Sequence, residues 1–106
     1  MGHVDAAYRL ALMMKTGAAG VKKNLMESAR YFKIAADHGN ANAAYQYALM
    51  KHMGIGILKD NVEAAHYFKI AADDNSNLDA MYQYAFMQPT ANEKEASNYF
   101  QMANTM

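Results

Sequence analysis

The segment Asn42-Ala43-Ala44-Tyr45-Gln46-Tyr47-Ala48-Leu49-Met50 has two relatives in the same chain, each displaced by 37 residues. Upstream stands Asp5-Ala6-Ala7-Tyr8-Arg9-Leu10-Ala11-Leu12-Met13, and downstream Asp79-Ala80-Met81-Tyr82-Gln83-Tyr84-Ala85-Phe86-Met87. A second motif follows each copy: Tyr31-Phe32-Lys33-Ile34-Ala35-Ala36-Asp37, then Tyr67-Phe68-Lys69-Ile70-Ala71-Ala72-Asp73, then the weaker Tyr99-Phe100-Gln101-Met102-Ala103-Asn104. A period of roughly 20–50 residues marks a stacked array, because one such unit cannot bury its apolar face without a neighbour. The 106 residues therefore form one repeat domain with units at approximately 4–39, 41–75 and 78–106. This organisation points toward recognition and names no partner.

Each unit reads as a helical hairpin. Ala7, Leu10, Ala11 and Met14 fall at i, i+3, i+4 and i+7, one face of a helix. Ala44, Tyr47 and Ala48 repeat that face, as do Met81, Tyr84 and Ala85, whereas strand alternation fails. The small Ala11, Ala48 and Ala85 always lie on the contact face, where a short side chain permits close helix approach. In the second motif Ala64, Tyr67, Phe68, Ala71 and Ala72 form the apolar face. Asn24 and Asp60 are expected N-caps, with Glu27 and Glu63 three residues on closing capping boxes. Gly39 ends the first hairpin as a C′ residue, with Asn75 in the matching place. The loops Gly17–Asn24 and Gly54–Asp60 carry paired glycines before Val21 and Ile57. The third loop, Gln88-Pro89-Thr90-Ala91-Asn92, is about five residues shorter, and Pro89 stops the preceding helix. Six helices are predicted, at 4–16, 24–38, 41–53, 61–74, 78–88 and 92–104, the third unit being degenerate.

With these residues placed, the chain resembles the Sel1-like repeat, a relative of the tetratricopeptide repeat with a longer hairpin loop. The second unit matches at Ala44, Tyr47, Ala48, Gly54, Gly56, Ile57, Asp60, Ala64, Tyr67, Ala71 and Ala72. The first matches at Ala7, Leu10, Ala11, Met14, Gly17, Gly20, Val21, Asn24, Tyr31, Ala35, Ala36 and Gly39. Lys51 departs from the pattern by occupying a usual aromatic position, and the third unit lacks the glycine loop. The resemblance implies an all-α, right-handed solenoid of three antiparallel helix–loop–helix repeats, with first helices lining a concave face. It also implies a scaffold or adaptor that binds a protein or peptide partner.

By that resemblance Tyr8, Tyr45 and Tyr82 face the concave side, followed by Leu12, Leu49 and Phe86, then Lys15 and His52. Stacked units would turn them into a groove with tyrosine rungs, each ring supplying contact area and a polar handle. The alternative is that these rings only pack between units, the chain being a structural segment of a longer solenoid.

Other chemistry finds little support. The formal charge is zero with no basic stripe, which argues against nucleic acid. No apolar run is long enough for membrane insertion. The chain contains no cysteine, so disulfides and thiolate chemistry are excluded. That composition, with no signal-peptide pattern after Met1, leans the reading toward the cytoplasm. The histidines at 3, 38, 52 and 66 show no metal-ligand spacing, and no serine sits in a nucleophile elbow. No cofactor and no enzymatic activity are expected. The ten methionines read mainly as core, Met13, Met50 and Met87 recurring in register. The final helix, with Tyr99, Phe100, Met102 and Met106, suggests self-association through an uncovered face.

Overall fold

The computed structural model describes residues 2–73 and 77–87. They form α1 (Gly2–Thr16), a short 3₁₀ turn (Ala18–Gly20), α2 (Leu25–Asp37), α3 (Ala41–Met53), α4 (Asn61–Asp73) and α5 (Leu78–Met87). Five of the six expected helices thus stand within a residue or two of their expected bounds. The sixth, with the shortened loop, Asn75 and the proposed self-association face, lies outside the described residues. Extensive helix packing joins only sequence neighbours, α1 to α2, α2 to α3, α3 to α4 and α4 to α5. The molecule extends 45 × 28 × 19 Å, as a one-dimensional stack should.

The local signals act as the sequence suggests, with one correction. Asn24 and Asp60 each accept the backbone N–H three residues on, from Glu27 and Glu63, at 3.0 Å. Asn40 and Asn77 cap α3 and α5 in the same way. The capping boxes are not closed, however. The backbone N–H of Asn24 donates to Met14 O at 2.8 Å and that of Asp60 to Lys51 O at 3.0 Å. Those amides are therefore used to tie each loop back to the preceding helix. The glutamates turn elsewhere, Glu27 to Arg30 and Glu63 to Tyr47 and Lys51. After α2, Gly39 with φ 98° donates to Ala36 O, and Asn40 N–H to Ala35 O, which is a Schellman stop.

Alanine dominates the core. Ala11, Ala43, Ala44, Ala48, Ala64, Ala71 and Ala72 are fully buried, letting helix backbones approach while Phe32, Phe68, Met50 and Met81 fill the space between them. Phe68 lies against Tyr45 and His52 of its own hairpin. Ser28 is the one buried polar residue among those described, and its hydroxyl donates to Ala11 O at 2.6 Å.

The units interlock through the second loop. Gly56 has φ +75°, and a Cβ built there would lie 2.5 Å from Leu25 Cβ and 2.9 Å from its carbonyl carbon. Only glycine accepts both that conformation and that proximity.

Candidate interaction face

On α1, α3 and α5 the candidate residues recur at equal places, and the structure treats each row differently. Tyr8 and Tyr45 are half-buried, their rings tilted against Phe32 and Phe68 at centroid distances of 5.9 and 5.8 Å. These phenylalanines fix the tyrosines from beneath. Tyr82 is also half-buried and packs against the core. Burial, then the nearby Asp79 carboxylate, raises the Tyr45 phenol above its ordinary value. Asp79, Asn42, Tyr45, Asn77 and Leu78 line one shallow depression between the second and third units.

The aliphatic row is uneven. Leu12 and Leu49 are half-buried against the core, whereas Phe86 is 75% exposed. The basic row does not form as a set. Lys15 Nζ donates to Gln46 Oε1 at 2.8 Å, bridging α1 and α3. His52 turns to its own hairpin, its Nδ1 standing 3.0 Å from Asn61 Oδ1 and its ring beside Phe68. Gln46, the acceptor for Lys15, was not singled out by the sequence, and neither were Asn42 and Asp79. Their signal was present: Asp5, Asn42 and Asp79 each precede the row tyrosine by three residues.

Away from these rows, a polar network crosses the junction of the first two units. Tyr67 Oη donates to Asp37 Oδ1 at 2.7 Å, and Lys33 Nζ to Asp37 Oδ2 at 2.9 Å. Tyr47 meets Tyr67 edge-on at 4.7 Å and donates to Glu63 Oε1 at 2.9 Å, while Lys51 reaches Glu63 Oε2 at 3.4 Å. Lys51 thus replaces an aromatic by pairing with Glu63 and lying 5.9 Å over the Tyr47 ring. Burial and the Glu63 carboxylate push the Tyr47 phenol well above its ordinary range. Burial pulls the Asp37 carboxyl up, but the bonds from Lys33 and Tyr67 outweigh it and hold the group below its ordinary value.

His52 and His66 share an open groove with Asn61, Val62, Ala65, Lys69, Tyr84 and Met87. Among the described residues no three His, Cys, Asp or Glu side chains are grouped to hold a metal ion. No helix among them is long and apolar enough to cross a membrane.

The family model for the Sel1 repeat matches residues 4–40 and 41–76. Among solved structures, the chain is similar to the Sel1 repeat protein from Oxalobacter formigenes. The two share 27% identity with a TM-score of 0.85, over 94% of this chain and 42% of that one. The fold is also similar to that of a protective antigen present in uropathogenic Escherichia coli strains displaying an SLR fold. Identity there is 20% and the TM-score 0.86, over 96% of this chain and 22% of that one. The chain therefore spans less than half the length of either. No curated protein matches it.

Proposed function

The chain belongs to the Sel1 repeat family, whose members are generally protein–protein interaction scaffolds. From that premise we propose that it holds an extended peptide or a partner's helix along the face made by its first helices. The observation that carries this reading is a shared register. Positions i, i+3, i+7 and i+10 stay on one side of a helix. In the first unit they are Asp5, Tyr8, Leu12 and Lys15, and in the second Asn42, Tyr45, Leu49 and His52. The third begins alike with Asp79, Tyr82 and Phe86. Side by side, the stripes offer a ligand a polar edge, a tyrosine row and an apolar band. Tyrosines already braced by Phe32 and Phe68 lose little side-chain freedom on binding, which favours affinity. The scaffold role requires no catalytic residue.

A purely structural role draws on the same contacts, since Tyr8 and Tyr45 also complete the packing over Phe32 and Phe68. Peptide-library selection on the folded chain separates the two. Binding on this face requires that selected peptides lose about tenfold in affinity, ~1.4 kcal/mol, on Tyr45→Ala or Phe86→Ala with helix content retained. Selection of no peptide, or of peptides indifferent to both changes, removes the proposal and leaves the structural role.

A further inference from the structure

The two junctions between units differ at one place. At the first, the glycine loop of the second unit is seated on α2, where a Cβ added at Gly56 would lie 2.5 Å from Leu25 Cβ. At the second, Asn61 holds the place of Leu25, so α4 offers an amide where α2 offers an apolar seat. The sequence has no matching loop to seat there. It contains no glycine after Gly56, and the segment 88–92 is about five residues shorter than its counterparts. The open groove that contains Asn61 stands at this place and measures about 650 Å³. Ligand pockets commonly span about 300–1,000 Å³.

The lining of the groove is basic on one side and apolar on the other. His52, His66 and Lys69 line it, and among the described residues no carboxylate does. The nearest acids in sequence are engaged elsewhere. The Asp60 carboxylate accepts the Glu63 N–H, and the Glu63 carboxylate meets Tyr47 and Lys51. His52 is held through Nδ1 by Asn61, which leaves its Nε2 for a ligand, and as a cation the ring donates from both nitrogens. His66 is exposed, with its ring edge-on to Tyr67 at 5.2 Å. Val62, which is 83% exposed, contributes apolar surface together with Ala65 and Met87. We propose that this groove binds a peptide segment presenting an Asp or Glu side chain beside an apolar one. The carboxylate meets the imidazoles and the Lys69 ammonium, and the apolar side chain lies on Val62 and Ala65. The site shares only His52 with the stripes of the first helices and stands whether or not those stripes bind.

Proton–nitrogen correlation spectra of the full chain, titrated to millimolar peptide, test this. The probes are two blocked pentapeptides, Ala-Leu-Glu-Leu-Ala and its glutamine counterpart. The glutamate peptide should shift the amides of Asn61, Val62 and His66. It should also bind about fivefold more tightly than the glutamine peptide, the upper worth of an exposed ion pair. His66→Gln should remove most of that preference, and Val62→Asp should weaken the glutamate peptide with helix content retained. Tyr45→Ala should leave these shifts unchanged, which separates this site from the tyrosine row. No shift, shifts confined to other residues, or equal binding of the two peptides would overturn the proposal. So would equal shifts with inorganic phosphate alone, which would make this a simple anion site. Peptide binding that emerges only on Glu93→Gln would overturn it too, since a segment of this chain would then be the occupant.

Discussion

The hydroxyl of Tyr67 on α4 donates a 2.7 Å hydrogen bond to the carboxylate of Asp37 on α2, thirty residues away and in a different repeat. Lys33 approaches the other oxygen of the same carboxylate, so two donors from two units converge on one acceptor at the junction.

Removing the hydroxyl with Tyr67→Phe should cost about 0.5–1.5 kcal/mol near neutral pH, the net worth of an ordinary hydrogen bond. The lower range applies because Asp37 keeps access to water. The pH dependence has a definite sign. Asp37 is held below its usual value in the folded chain, so its contribution is present above about pH 4 and is lost as pH falls through the folded value. Urea unfolding of both proteins between pH 7 and pH 3 checks this. The gap between them should narrow toward acid; a constant gap would mean that Asp37 is not the acceptor that matters.

Gly56→Ala and Gly20→Ala form a matched pair. Both place a side chain at positive φ, at a cost of about 1–2 kcal/mol. Only Gly56→Ala also drives a methyl group into Leu25, adding about 1–3 kcal/mol of overpacking. Its denaturation midpoint should therefore fall distinctly below that of Gly20→Ala. Equal midpoints would show that the loop does not lock the second unit to the first.

Phe68 and Ala48 test the register of the second hairpin. Phe68 is fully buried beneath Tyr45, and truncation to Ala should cost about 3–5 kcal/mol, a large part of the stability of so small a domain. Ala48 has no exposed surface, so Ala48→Leu should overpack it by about 1–3 kcal/mol. Calorimetric melting of either variant at the parental temperature would place that residue outside the core.

Alkaline titration reports on the buried phenols. Tyr45, Tyr47 and Tyr67 all ionise above the ordinary value of 10.0, Tyr47 farthest because burial and Glu63 both oppose its phenolate. A folded value raised above the unfolded one means that their stabilisation holds below about pH 10 and is lost as pH rises further. Tyrosinate absorbance should therefore show a late component that accompanies unfolding, and Tyr47→Phe should diminish it. A titration of the folded chain complete by pH 10 would contradict this.

Of the proposed interaction face, the sequence made legible the rows Tyr8, Tyr45, Tyr82 and Leu12, Leu49, Phe86, since periodicity alone assigns residues to one side of a helix. It did not reveal that Lys15 bridges to Gln46 or that His52 turns to Asn61. Both residues occupy one place in the repeat, yet their partners lie on different helices.

The chain by itself determined the 37-residue period, the helix faces, the asparagine and aspartate caps and the Gly39 stop. These depend on contacts within a few residues, where backbone geometry and side-chain type suffice. Only the tertiary structure decided which equivalent residues are covered and which are not. Tyr47 and Leu10 share a place, as do Gly56 and Gly20, and Tyr67 and Tyr31. Tyr47 is buried where Leu10 is half-buried, and Gly56 and Tyr67 meet Leu25 and Asp37 of the preceding hairpin. The bonds that distinguish them join residues about thirty positions apart, and a local pattern that repeats identically in each unit cannot encode which unit has a neighbour.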